Sequence, residues 1–97
     1  MTGKQKRHLR TMAHTLKPVV NLGKHGLSRE TKNEIDTQLL EHELIKLKVL
    51  DCCPISKKEC ADLLKQENSL EVVQIIGKTL TLYCPHPEEP KIELPSA

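Results

Sequence analysis

The apolar residues of the N-terminal segment recur at intervals of three and four, which is the spacing of one face of an α-helix. This spacing predicts a helix over residues 4–16. Its inward residues are Leu9, Met12, Ala13 and Leu16. The basic side chains Lys4, Lys6, Arg7 and Arg10 lie largely off that face. Pro18 marks the end of the helix, because the residue before a proline disfavours the helical region.

Two further helices are predicted by the same periodicity, and each begins with a serine that can cap it. Ser28 begins a helix that runs to about His42. Its inward residues are Ile35, Leu39 and Leu40. Ser56 and Glu59 match a capping box, and the helix that follows runs to about Gln66. Its inward residues are Cys60, Leu63 and Leu64.

Four short apolar or alternating runs predict β-strands. They cover residues 19–22, 44–50, 72–76 and 79–83. Gly77-Lys78 joins the last two and suits a tight type II′ hairpin. The order is therefore α-β-α-β-α-β-β. Strands separated by helices favour right-handed parallel crossovers, and the final hairpin adds an antiparallel pair. The sequence predicts an α/β fold, a two-layer α/β sandwich with a mixed four-stranded sheet.

A chain of 97 residues suits one domain, which we place at residues 1–84. From Pro85 the chain is charged and rich in proline, so residues 85–97 are interpreted as a flexible proline-rich tail. No apolar run approaches the roughly 20 residues that cross a bilayer, and the charged N-terminus is unlike a secretory signal. We therefore expect a cytoplasmic monomer with no membrane partner.

The basic residues are concentrated towards the N-terminus. Residues 1–32 hold eight Lys or Arg side chains against Glu30 alone, whereas residues 33–84 hold six against nine acidic ones. Residues 85–97 hold Lys91 against three glutamates, and the net charge of the whole chain is only +2. Such a one-sided distribution is typical of a protein whose partner is a polyanion, although a merely solvated basic face is the alternative.

The stretch Gly23-Lys24-His25-Gly26 lies between a predicted strand and the start of a predicted helix. Paired glycines let the backbone turn sharply and approach a ligand closely. The free amides at the start of the helix favour an anion, and Lys24 adds a charge and His25 a donor. A GxxG loop clamps backbone nucleotides in KH domains, although two glycines by themselves indicate only a turn. Its place before a capped helix, within the basic segment, favours a phosphate-binding loop.

Other nucleotide-binding and catalytic patterns are missing from the sequence. Neither GxxxxGK[ST] nor GxGxxG occurs, so the known cradles for nucleotide hydrolysis and dinucleotide binding are not present. Tyr83 is the only aromatic residue, which excludes a base-stacking platform and favours recognition of backbone and shape. No Ser/His/Asp or Cys/His grouping can be argued from spacing. We expect no enzymatic activity, no catalytic residue and no cofactor.

The cysteines do not have the spacing of a metal site. They are Cys52, Cys53, Cys60 and Cys84. A vicinal pair does not ligate one metal in the manner of CxxC, and no Cys or His lies two to four positions away. We expect no bound metal, and reduced thiols that are mostly packed.

Several stretches between residues 4 and 83 resemble one known family. They read KQKRHLR (4–10), AH (13–14), LKPVV (16–20), LGKHGL (22–27), HELIKLK (42–48) and VQIIGKTLTLY (73–83). Together they resemble the YhbY-like bacterial proteins, which carry the domain shared with plant chloroplast RNA splicing and ribosome maturation (CRM) factors. The 51–54 linker with its vicinal cysteines is not typical of the family, and the tail here is acidic.

The resemblance implies a fold similar to the C-terminal domain of bacterial translation initiation factor three, in agreement with the predicted order of elements. It also implies RNA binding through the GxxG loop and adjoining basic residues. The partner that it implies is the ribosomal RNA of large-subunit precursors, whose assembly the protein would assist.

We therefore predict an RNA-binding site formed by the loop and the basic residues near it. Its residues are Lys6, Arg7, Arg10, Gly23, Lys24, His25, Gly26, Arg29 and Lys32. Two alternatives stay open. The chain could bind another structured RNA, or it could be a protein-interaction module whose basic face docks an acidic partner protein.

Overall fold

The computed structural model describes residues 1–67 and 70–96, and its elements follow the predicted order α-β-α-β-α-β-β. They are α1 (Gly3–Ala13), β1 (Pro18–Leu22), α2 (Arg29–His42), β2 (Leu44–Val49), α3 (Lys57–Glu67), β3 (Glu71–Ile76) and β4 (Thr79–Tyr83).

The strands form one mixed sheet of four, in the order β1-β2-β4-β3. β1 and β2 are parallel, and β4 is antiparallel to both β2 and β3. The hairpin between β3 and β4 turns at Gly77, whose φ is +55°, while Lys78 keeps a negative φ. These signs match the predicted type II′ turn, in which only the first central residue needs a positive φ. The predicted fold class and sheet are confirmed.

The two faces of the sheet are covered unequally. α2 packs on β1 and β2, α3 packs on β3 and β4, and the larger hydrophobic core lies beneath these two helices. This is the predicted two-layer packing. α1 lies on the opposite face, where Leu9 and Ala13 cover Leu44, Val73 and Tyr83 in a second, smaller cluster. The rest of that face is not covered by a helix.

Several boundaries and inward positions differ from the sequence prediction. α1 is capped by Thr2 and ends at Ala13, because Leu16 already bonds back to the Ala13 carbonyl in a tighter turn at 2.9 Å. Leu16, predicted to point inward, lies beyond the end of the helix and is 37% exposed, and Met12, within the helix, is 39% exposed. Leu40 (54% exposed) and Leu63 were also wrongly placed in the core. Each helix presents only a narrow stripe to the flat sheet, and these residues fall beside it.

The tail has no regular secondary structure, as its prolines indicate, yet it is attached to the domain at Glu43. That buried carboxylate accepts hydrogen bonds from the amides of His86 (3.0 Å), Lys91 (2.6 Å) and Ile92 (3.1 Å). Ile92 and Leu94 also pack against the α1 cluster. These contacts join the tail to the domain, and sequence periodicity does not reveal them; the flexibility of residues 85–97 stays a prediction.

Two further properties concern the part of the chain that the structure describes. None of its helices combines the length and the apolar character that crossing a membrane requires. No group of three or more His, Cys, Asp or Glu side chains within residues 1–67 and 70–96 could hold a metal ion. The expectation of a metal-free, cofactor-free protein stays a prediction.

Candidate nucleic-acid interface

The Gly-Lys-His-Gly loop is a tight turn at the end of β1. The amide of Gly26 donates to the carbonyl of Gly23 at 3.0 Å, and Gly26 has a φ of +58°. Lys24 and His25, at the tip, are exposed. The turn bond occupies the Gly26 amide, so the loop presents the side chains of its two central residues.

The linker that follows β2 packs against the back of this loop. A Cβ on Gly26 would lie 3.3 Å from Cγ of Pro54, and one on Gly23 would lie 3.9 Å from Sγ of Cys52. Gly26 is buried by this contact. The unusual linker with its vicinal cysteines therefore shapes the back of the candidate loop, and nothing in the sequence spacing indicated that contact.

The N-terminus of α2 faces the same concavity as the loop. Oγ of Ser28 accepts from the amide of Thr31 at 3.2 Å, and the Ser28 carbonyl accepts from the amide of Lys32. The amides of Arg29 and Glu30 precede any helical acceptor and stay available for an anion. The concavity is lined by Asn21, Gly23, Lys24, His25, Gly26, Ser28, Arg29, Glu30 and Thr31. The Glu30 carboxylate opposes an anion there, so Lys24, His25 and Arg29 must outweigh it.

The three predicted basic residues of α1 lie on one flank of the helix. Lys6 and Arg10 are four residues apart, and Arg7 and Arg10 three apart, so they are neighbours on the helix surface. Arg7 and Arg10 line a second concavity together with His14, Gln74 and Ile76, where α1 faces β3. His14 is thus a candidate that the sequence reasoning missed. Its spacing of four residues from Arg10 and seven from Arg7, which places all three on one helix face, was the available signal.

The open part of the sheet joins the loop to the flank of α1. Asn21, which lines the loop concavity, is paired with Lys48, and Lys48 is paired with Thr79. Paired residues on adjacent strands are about 5 Å apart, so this row reaches from the loop well into the sheet. Lys48 is exposed on this row and was not among the predicted site residues. The alternation of Lys46 and Lys48 with apolar residues could have indicated it.

The remaining predicted residues lie on α2. Arg29 lines the loop concavity, whereas Lys32 is half-buried one turn further along the helix and does not line it. α2 packs on the face of the sheet opposite α1. The structure therefore brings the loop and Arg29 together, and the α1 flank forms a second basic region beyond the row Asn21–Lys48–Thr79. It places Lys32 at the periphery of the loop region.

One acidic side chain near the loop end of the sheet is already neutralised. The carboxylate of Asp51 pairs with the ammonium group of Lys78. The hydrogen bond and the charge of Lys78, and to a smaller extent the charge of Lys48, hold the pKa of Asp51 below its ordinary value. Lys78 is consequently a weaker candidate for a phosphate contact than the other basic residues of the surface.

Comparisons with known proteins indicate one family. Residues 1–83 match the CRS1 / YhbY (CRM) domain. The chain is 41% identical over 95 residues to the "Probable RNA-binding protein YqeI" of Bacillus subtilis, with 98% of this chain and 99% of that protein covered. It is 42% identical over 95 residues to an "RNA-binding protein" of Haemophilus influenzae, with 98% and 95% covered.

A solved structure agrees as well. The solution structure of the protein SAV1595 from Staphylococcus aureus superposes with a TM-score of 0.80 at 41% sequence identity. The aligned region covers 98% of this chain and 99% of that one. The similarity in sequence and in fold extends over nearly the whole chain, and the chain belongs to the CRS1 / YhbY (CRM) domain family.

Proposed function

We propose that the protein binds structured RNA, mainly by contacting the phosphate backbone of the RNA. The observation that carries this proposal is the loop concavity, which Lys24, His25 and Arg29 line together with the start of α2, whose first two amides have no helical acceptor. An anion gains both from those amides and from the partial positive charge of a helix N-terminus. The names of the relatives, which describe RNA-binding proteins, support the same partner.

The mode of binding follows from which groups the surface offers. Tyr83, the single aromatic residue, is only 3% exposed and packs beneath α1. Bases cannot stack on it as they do on the aromatic residues of RRM domains. The loop and the α1 flank instead offer cations and amides. Such groups position a nucleic acid without reading its sequence, so we propose that RNA shape provides most of the specificity.

Within this class, we propose that the RNA is ribosomal and that the protein assists assembly of the large subunit in the cytoplasm as a monomer. The family resemblance supports this assignment. Sedimentation of cell lysates on a gradient tests it. The protein should travel with large-subunit precursors and should leave those fractions after RNase treatment. Persistence after complete RNA digestion would instead support the rival hypothesis of an acidic protein partner.

A matched pair of variants makes the test specific for the candidate surface. The double change Lys24→Ala and Arg10→Ala removes one cation from each basic region. The double change Lys58→Ala and Lys65→Ala removes two exposed cations from α3, neither of which lines the loop concavity or the α1 concavity. We expect the first pair to lose precursor association and the second to retain it. Equal loss in both pairs would mean that only total charge matters.

We also propose that the protein is not an enzyme. The candidate surface is rich in cations and amides, and the sequence contains no phosphate cradle beside an acid–base pair. Purified protein should therefore release no phosphate from ATP or GTP and should not shorten RNA. Turnover that survives repeated purification and disappears when one His or Glu is changed would refute this proposal.

A further inference from the structure

A third, smaller groove lies on the uncovered part of the sheet, on the same face as α1. Its floor is formed by Lys46, Thr79, Thr81 and Gln74, and Leu16 and Ile76 stand at its sides. It shares Gln74 and Ile76 with the concavity that Arg7 and Arg10 line, so the two are adjacent. None of these floor residues belongs to the loop concavity.

The floor of this groove carries a row of three polar side chains. Thr81 is paired with Lys46 on one side and with Gln74 on the other. Neighbours in such a row have Cβ atoms roughly 5 Å apart. The side chains of Lys46, Thr81 and Gln74 therefore start side by side on three strands, and among them they carry both donors and acceptors.

Thr81 is the informative member of the row. Thr81 is 3% exposed. The other buried polar or charged residue in the part of the chain that the structure describes is Glu43. Glu43 satisfies its carboxylate with three backbone amides, whereas the Thr81 hydroxyl has no hydrogen-bond partner within residues 1–67 and 70–96. Buried hydroxyl groups in proteins nearly always have a partner. A buried hydroxyl group that lines a groove and has no hydrogen-bond partner in the protein indicates that a bound ligand supplies that partner.

We propose that this groove holds one unstacked nucleotide of the bound RNA, whose base edge bonds to the row Lys46–Thr81–Gln74. The proposal rests on the proposed function and adds to it a contact that can read a base. Glutamine pairs with base edges through its amide, and single-stranded RNA exposes those edges. Leu16 and Ile76 are 37% and 63% exposed and give the base apolar contacts in place of aromatic stacking.

The size and charge of the groove favour a base over a phosphate cluster. Its volume is about 220 Å³, below the roughly 300–1,000 Å³ of pockets for drug-sized ligands, so it suits a single ring system. Lys46 is the one formal charge among the described residues that line it. The arginines in the adjacent concavity would hold the flanking phosphates, and the loop a more distant one.

Thr81→Val tests the proposal, because valine keeps the shape of threonine and suits a strand. We expect a melting temperature equal to or above that of the parent, since no hydrogen bond within the protein is lost. The affinity of this variant for a short unstructured ribo-oligonucleotide should fall about three- to tenfold, because one hydrogen bond to the RNA is lost. The slope of log K against log salt should not change, because no charge is removed. Affinity for a fully paired RNA duplex should also not change.

Two further variants keep the outcomes distinguishable. Gln74→Met should weaken single-strand binding in the same way, and it replaces Thr81→Val as the test if that protein melts early. Thr37→Val is the control, because the Thr37 hydroxyl bonds to the Asn33 carbonyl on the exposed side of α2. If both groove variants bind single strands like the parent while Lys24→Ala binds weakly, the groove is not a nucleotide site and the proposed RNA binding stands. If the parent binds neither probe, the proposed function itself is wrong.

Discussion

Glu43 and Lys91 are joined by a hydrogen bond of 2.6 Å between the buried carboxylate and a backbone amide 48 residues further along the chain. Glu43 itself has a φ of +64°, a region that residues other than glycine rarely adopt. The amides of His86 and Ile92 complete the set of donors around this carboxylate. One side chain therefore attaches the tail to the start of β2 and directs Ile92 onto α1.

The Glu43 carboxylate predicts a loss of stability in acid. Burial alone raises the pKa of Glu43, but the hydrogen bonds from His86, Lys91 and Ile92 outweigh it, and the net pKa is lowered. A carboxyl whose pKa is lower in the folded state stabilises the fold above its unfolded pKa, near 4.3, and loses that contribution as pH falls through the folded pKa. Thermal melts between pH 7 and pH 3 should show this decline.

Glu43→Gln provides the comparison. Its amide group would place N–H donors against a backbone amide, so we expect a loss of about 1–3 kcal/mol in the free energy of unfolding at pH 7. The variant should also lack the part of the acid dependence that Glu43 contributes. A Glu43→Gln protein that melts like the parent at every pH would show that the tail contact contributes nothing to stability.

The two glycines of the loop should respond differently to alanine. Gly26→Ala meets a φ of +58° and Cγ of Pro54 at 3.3 Å, so we expect a cost of about 1–2 kcal/mol in the free energy of unfolding. Gly23→Ala has a backbone that accepts a side chain and only an ordinary contact with Cys52, so its stability should not change measurably. Urea unfolding of both variants checks this. Equal costs would contradict the assigned roles.

Gly23→Ala is accordingly the cleaner test of RNA contact within the loop. If RNA approaches the backbone there, its affinity should fall although the protein is as stable as the parent. Gly26→Ala would weaken binding through loss of the turn as well, and its result must be corrected for the unfolded fraction.

The salt dependence of binding should report how many phosphates are neutralised. If about five are, log K against log salt should have a slope of about −3.5 to −4.5. Lys24→Ala should reduce the magnitude of that slope by about one, because Lys24 is exposed at the loop tip. Lys58→Ala, on α3, is the control and should leave the slope unchanged. A nearly flat response of the parent would contradict a backbone-dominated mode.

The thiols should differ strongly in reactivity. Burial, with a smaller effect from Cys53, raises the pKa of Cys60 to about 12, whereas Cys52 is exposed beside the loop. Since the thiolate is the reactive form, Cys52 should be alkylated first and Cys60 only as the protein unfolds. Mass spectrometry of iodoacetamide-treated protein checks the order. Rapid labelling of Cys60 in the native protein would mean that α3 opens readily.

Most of the secondary structure could be predicted because its signals are local. Ser28 caps α2 as expected, and Gly77 takes the positive φ that the hairpin requires. Ser56 accepts the predicted hydrogen bond from the amide of Glu59 at 3.1 Å. The errors concern which side of a helix faces the sheet and the residue at which an element ends. Leu40 is apolar, but it lies five residues from Ile35 and so about 140° around the helix, beyond the part of the circumference that the flat sheet covers.

The candidate site was predictable to a lesser degree. The GxxG turn and the basic spacing on α1 are visible in the sequence, and the structure places Lys24, His25 and Arg29 in one concavity. Lys48 and His14 were missed, because their relevance depends on which strand or helix lies beside them. The contact of Pro54 with Gly26 joins a loop and a linker far apart in the chain, and no periodicity could have indicated it.

The sequence by itself determined the order of elements, the capped helix starts, the loop and the concentration of charge, because each depends on residues within a few positions of one another. Only the tertiary structure decided that α1 lies opposite α2, that the row Asn21–Lys48–Thr79 joins two basic regions, and that Glu43 attaches the tail. These relationships depend on strand register and on which face of the sheet each helix covers. Such choices are made by packing between distant segments, where the free energy of burial outweighs local preference.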